Sequence, residues 1–201
     1  MTDHRIKKAV KFFNKEGPII RTSILRSSGF CSKDIDEFIR LGFLQRLRKG
    51  YYVFSIKAND MDNYEILAAL IPDAVISLFS AAQYHDLSGI IPQKIDITLP
   101  TQKRIPVLPE DVHVKIYKAI PRIYEVGIQT VKDNGYQFKI YDRERTVCDF
   151  FRMRYKIGKD VAFDVLKNYM VGKKHLQKLS KYAEVLQIKG VLFPYLEVLA
   201  A

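Results

Sequence analysis

The sequence predicts an α+β fold in two parts, and three observations carry that reading. Residues 17–54 (GPIIRTSILRSSGFCSKDIDEFIRLGFLQRLRKGYYVF) hold two short helical patterns followed by a tight hairpin. Residues 94–141 contain four extended runs, and from residue 144 onward apolar residues recur at helical spacing. Strands followed by helices indicate a mixed α/β second domain ending in helices, not an alternating parallel sheet. A polar stretch, IKANDMDN (56–63), breaks the pattern between the parts. The expected domains are therefore residues 1–56 and 64–201, joined by a linker at 57–63.

The elements follow in order. MTDHRIKKAVKFFNKEG reads as an amphipathic helix that Asp3 can cap, with Ile6, Ala9, Val10 and Phe13 on one face. Residues 22–28 and 32–41 are helical, split by Gly29, Phe30 and Cys31, and each opens on a hydroxyl able to cap it. Residues 43–48 and 51–54 flank a Lys49–Gly50 turn, a hairpin signature. Helix, turn, helix, hairpin is the order of a winged helix-turn-helix. At roughly 100° per residue, Ile35, Phe38 and Ile39 of the second helix share one face. Lys33, Glu37 and Arg40 fall opposite, with Asp36 nearby, so one side packs and the other is free to enter a major groove.

In the second part, residues 64–70 form a short helix ended by Pro72, and 77–87 a buried helix opened by Ser77. Extended runs follow at 94–99, 112–118 and 125–131, and an Asp133-Asn134-Gly135 turn leads into 136–141. Helices are expected near 144–154, 159–170, 175–186 and 191–201. There is no internal repeat and no low-complexity tract.

Charge points to a polyanionic partner. Of the net +11, residues 1–54 supply +7, from 12 Lys/Arg against 5 Asp/Glu; the other 147 residues carry 21 against 17. This is the footprint of a nucleic-acid contact, with Arg46, Arg48 and Lys49 placed at the hairpin tip to meet phosphate. Asp34, Asp36 and Glu37 on the second helix oppose phosphate, although an acid can accept from cytosine N4.

Other classes are weaker. Two distant cysteines, Cys31 and Cys148, make no disulfide framework and read as buried thiols. No signal peptide and no apolar run of ~20 residues is present, so the expected location is the cytoplasm, away from the membrane. His85–Asp86 with Ser80 and Tyr84 lacks a glycine elbow, and the four histidines have no metal-ligand spacing. Gly158–Lys159 lacks the other residues of a phosphate loop. No catalytic residue, metal site or cofactor is expected. Most aromatic rings sit at apolar-periodic positions, leaving Tyr51, Tyr136 and Tyr195 as exposed-looking exceptions, and no RNA-recognition motif appears.

Three blocks resemble the AbiEi-type antitoxins of type IV toxin–antitoxin (abortive-infection) systems. The first ends in GFLQRLRKGYYVF, with a Gly-x-Leu-x-Arg-x-x-x-Gly-x-Tyr pattern closing the wing. The second is ISLFSAAQYHDLSGIIPQKIDITLP, and the third YDRERTVCDFFRMRYKIGKDVAFDVLKNYM. Together they span most of the chain in the family's order. The resemblance implies a bifunctional protein. An N-terminal winged helix would repress its own operon at promoter inverted repeats, and a C-terminal domain would counteract a nucleotidyltransferase-like toxin without a stable complex. It places DNA contacts at Arg21, Thr22, Ser23, Ser32, Lys33, Arg40, Arg46, Arg48 and Lys49. Binding to double-stranded inverted repeats calls for two copies, and without a heptad seam dimerisation is expected on the DNA. The family offers no antitoxic motif. The dense polar cluster Asp142, Arg143, Glu144 and Arg145 ahead of an apolar helix face marks Asp142, Arg143 and Arg145 as the candidate antitoxin surface. The alternative is a stand-alone winged-helix transcription regulator whose C-terminal domain serves protein interaction or oligomerisation.

Overall fold

Aromatic packing builds the first unit of the fold. In the computed structural model, which describes residues 3–16, 19–55, 62–105, 108–109, 112–133 and 136–200, Phe13 of helix α1 (Asp3–Glu16) is fully buried. Its ring lies 5.6 Å from Phe38 and 5.2 Å from Phe54, and Phe30 lies 5.5 Å from Phe38. Strand β1 (Ile19–Arg21) leads into α2 (Thr22–Ser27), then α3 (Ser32–Arg40), then the hairpin β2 (Leu44–Arg48) and β3 (Tyr51–Phe54). β1 pairs antiparallel with β3, giving the sheet order β1–β3–β2.

Both short helices end alike. Phe30 N donates to Leu25 O and Gly29 N to Arg26 O; Phe43 N donates to Phe38 O and Gly42 N to Ile39 O. These are paired Schellman bonds, and Gly29 and Gly42 take φ of 88° and 75°, the left-handed backbone the motif needs. Each glycine is followed by a phenylalanine that enters the core, so the turn chemistry also delivers Phe30 and Phe43 to the packing.

Internal contacts divide the chain into two compact units. The first is Met1–Pro72 with Ile105–Val112 and Asp133–Tyr136; the second is Asp73–Arg104 with His113–Lys132 and Gln137–Ala201. Helix α4 (Asn63–Leu70), capped by Asp62 Oδ1 accepting from Tyr64 N at 3.1 Å, groups with the first unit. Of the expected linker at 57–63, residues 57–61 lie outside the described residues, as do Asn134 and Gly135 of the expected turn and the side chains of Asp3 and Ile6.

The second unit contains β4 (Val75–Ile76), α5 (Leu78–Tyr84), β5 (Ile95–Pro100), β6 (Val114–Ala119), α6 (Pro121–Tyr124), β7 (Ile128–Asp133) and β8 (Tyr136–Tyr141). Four helices follow: α7 (Arg143–Ile157), α8 (Lys159–Val171), α9 (Leu176–Val185) and α10 (Lys189–Ala200). Its five-stranded sheet runs β6–β5–β4–β8–β7. β4 pairs antiparallel with β5 but parallel with β8, and β5 pairs parallel with β6. The chain is thus mixed α+β with two sheets. The two-residue β4, central and wholly buried, was absent from the sequence reading because two residues cannot show a period of two. The core joins α5, α7, α8, α9 and α10 through Phe150, Phe151, Leu166, Leu179 and Leu192.

Candidate nucleic-acid interface

Helices α2 and α3 and the β2–β3 turn frame a concavity of about 360 Å³. Thr22 N donates to Gly50 O at 2.9 Å, tying the start of α2 to the hairpin turn. Arg26 Nη2 donates to Ser32 Oγ at 3.2 Å, joining the end of α2 to the start of α3. Thr22, Arg26, Ser32, Asp36, Arg46 and Lys49 line the hollow over a floor that includes Ile35. Four predicted contact residues therefore converge there: Thr22, Ser32, Arg46 and Lys49. Arg26 was missed, although it stands four residues after Thr22, one helical turn along the same face.

The other predicted contacts divide. Arg21 and Arg48 both approach the Tyr51 ring, at 5.4 Å and 4.0 Å from its centroid, so the exposed-looking Tyr51 is a half-buried stacking platform. Arg48 is itself half-buried and donates to Leu70 O at 3.4 Å; it holds the hairpin as much as it presents charge. Lys33 and Ser23 are exposed. Arg40 stands in the last turn of α3 and donates to both carboxylate oxygens of Glu37, at 2.7 Å and 3.1 Å. Those bonds hold the Glu37 carboxyl below its usual range and neutralise Arg40.

Three local expectations are corrected. Neither Thr22 nor Ser32 caps its helix: Arg21 and Cys31 occupy the cap positions. Instead Asp34 reaches back and accepts from Cys31 N at 2.8 Å, so this buried acid serves the helix end. Cys31 is exposed, not buried, while Cys148 is buried. Ser77 Oγ likewise caps nothing and accepts from Thr98 Oγ1 at 2.9 Å.

The expected antitoxin surface at Asp142, Arg143 and Arg145 is largely interior. Arg145 is 1% exposed and Asp142 7%. Asp142 caps α7 through Arg145 N at 2.8 Å and also accepts from Tyr182 Oη and Lys178 Nζ, each at 3.0 Å. Arg145 pairs with Asp149 at 3.0 Å and donates to the carbonyls of Ile123 and Val126 at 2.5 Å and 2.7 Å. Glu144 accepts from Tyr169 Oη at 3.0 Å. Burial pulls the Lys178 ammonium down, but Asp142 and Glu144 outweigh it and its pKa lies well above the usual value. Only Arg143 is half-exposed, and it donates to His85 O at 2.5 Å. The cluster is a scaffold joining α7 to α9.

The His85–Ser80 group is similarly occupied. His85 Nε2 lies 2.7 Å from Tyr141 O, and burial pushes its pKa down. Ser80 Oγ accepts from Asp96 N at 2.9 Å. These bonds knit α5 to the sheet.

No helix among the described residues is long and apolar enough to cross a membrane. No family model and no curated protein matches the chain. Among solved structures, the chain is similar in fold to the RV2827C protein from Mycobacterium tuberculosis, with a TM-score of 0.55, 14% identity, and coverage of 94% of this chain and 80% of that one.

Proposed function

We propose that the first unit is a winged helix-turn-helix that binds double-stranded DNA, with the N-terminal end of α3 in the major groove and the β2–β3 hairpin as wing. The observation that carries this reading is the element order α1–β1–α2–α3–β2–β3 with the sheet order β1–β3–β2. Charge supports it. Arg21, Arg26, Arg46 and Lys49 are exposed and have no acidic partner among the described residues, which leaves them available to phosphate. Asp36 lies on the wall of the hollow, and an acid there can accept from a cytosine amino group.

On the three sequence blocks, the whole chain acts as a type IV antitoxin. It represses its own promoter at inverted repeats, pairing on the DNA, and its second unit counteracts a nucleotidyltransferase-like toxin without a stable complex. A gel shift of the purified chain against its own upstream DNA tests the first half, with a random duplex as control. Retarded upstream DNA at concentrations that leave the random duplex free is the expected result; equal retardation of both removes the operator reading. Protection of cells expressing the neighbouring toxin gene tests the second half.

A further inference from the structure

The second unit holds a concavity that DNA binding leaves unused. It measures about 290 Å³ and is walled by residues of β5, β6, α7 and the start of α5, close to the roughly 300 Å³ at which small-molecule sites begin. Arg145, Arg152 and Lys156 of α7 and Lys118 of β6 reach its wall. A single carboxylate, Asp149, serves both arginines, at 3.0 Å and 3.1 Å. Lys118 Nζ donates to the carbonyls of Pro100 and Lys103, which orient it without cancelling its charge. Lys156 is exposed and makes no ion pair among the described residues. Four cations against one carboxylate leave an excess of three positive charges around one small hollow.

Such an excess is costly unless an anion joins it, and a concave wall focuses the attraction. An arginine fork beside lysine point charges suits a phosphoryl group. The remaining wall is apolar and aromatic, with Ile116, Tyr117 and Met153 able to cover a ring. Tyr117 is fixed by its hydroxyl donating to Asp96 Oδ1 at 3.1 Å, so the ring is held in place before any ligand arrives. Leu78 on the same wall carries φ of 43°, a backbone conformation leucine seldom adopts and one that clusters at binding sites.

We propose that this hollow binds a small phosphate ester of mononucleotide size, its phosphoryl group between Arg152, Lys156 and Lys118 and its ring against Tyr117 and Met153. Calorimetric titration of the full chain with adenosine monophosphate, and separately with inorganic phosphate, tests it. Saturable binding of the nucleotide is expected, with phosphate alone at least about tenfold weaker. Lys156→Glu should lower nucleotide affinity at least about tenfold without lowering the ligand-free melting temperature, as should the milder Lys156→Ala with a smaller loss. Lys181→Glu, at an exposed lysine of α9 outside the hollow, should change nothing. No saturable signal up to about 5 mM nucleotide overturns the proposal, as does an equal loss in the Lys181 variant. Phosphate binding as tight as nucleotide overturns the ring contact, and displacement of nucleotide by random duplex DNA reassigns the cations to a nucleic-acid track.

Discussion

Replacing Arg46 and Lys49 together with alanine is the sharpest test of the hairpin as a DNA contact. Both are exposed, and neither pairs with an acid among the described residues. Each phosphate neutralised on B-DNA adds about 0.9 to the slope of log affinity against log salt, so two lost contacts lower that slope by about 1.8. At about 0.15 M salt the same counterion release amounts to roughly 1.5 log units, a weakening of about 30-fold or ~2 kcal/mol. The loss should be equal on specific and random duplexes, because phosphate carries no sequence information. Folding should be spared, since Arg46 gives up only a 3.5 Å hydrogen bond to Tyr52 Oη and a ring contact at 5.7 Å. Arg48→Ala is a different perturbation: it removes the 4.0 Å stack on Tyr51 and the bond to Leu70 O, and should lower the melting temperature. Arg40→Ala deletes a cation that Glu37 already neutralises and should leave the slope alone. Fluorescence anisotropy from about 50 to 300 mM salt reads all three. Full affinity with an unchanged slope in the Arg46/Lys49 double variant takes the hairpin out of the interface. An Arg40→Ala slope change as large as that of Lys49→Ala refutes the pairing argument.

Asp34→Ala should cost about 1 kcal/mol by freeing Cys31 N at the α3 terminus, and Lys33→Ala should relax sequence preference without moving the melting temperature; thermal denaturation beside binding separates the two, and the reverse pattern refutes the assignment of α3. Arg145→Ala leaves buried Asp149 with Arg152 alone and strands the carbonyls of Ile123 and Val126, and should cost roughly 3–5 kcal/mol, read as an early urea transition; an unshifted midpoint would show that the network carries no stability. His85 is held neutral by burial, so the unfolded chain takes up its proton first as pH falls below about 6.5, and stability drops from there towards the lower folded pKa. Between about pH 7 and 5.5, His85→Gln should lose less stability than the natural chain, and parallel losses would refute it. A chain carrying the Arg46/Lys49 double change should still protect cells expressing the cognate toxin; loss of protection would end the proposed division of labour.

The first unit was legible because its signals are local. The glycines at 29 and 42, the Lys49–Gly50 turn and the Ile35–Phe38–Ile39 face each act within a few residues, and each sits where the pattern puts it: α2, α3, β2 and β3 lie within a residue or so of expectation. The cap was misread for the same reason. A hydroxyl at the helix start and an acid two residues on can both accept from the free N–H groups there, and only the backbone decides that Ser32 is already the first helical residue and Asp34 the one in reach. Arg26 shows the complementary limit. Its place in the hollow depends on where α3 and the hairpin come to lie, which spacing within α2 does not encode.

The Asp142–Asp149 segment shows why the second unit was harder to read. Dense charge at a helix start usually means a solvated face, because burying an unpaired ion costs several kcal/mol. Here Asp142, Glu144 and Arg145 are met by groups remote in sequence: Lys178, Tyr182 and Tyr169 from later helices, and the carbonyls of Ile123 and Val126 from before β7. Partners 19 to 40 positions away leave no trace in local periodicity. Gly127 completes the point. Its φ is 79°, and a Cβ there would stand 2.5 Å from Arg145 Cβ, so the turn must be glycine for the buried arginine to fit. A glycine that the sequence places inside the extended run 125–131 is the space into which α7 packs. It follows that activity lost on changing Arg145 or Asp142 would report unfolding and not a toxin contact. Functional groups of the second unit are better sought among charges the fold leaves unpaired, and among the described residues Lys156 and Lys118 are where the structure gathers them.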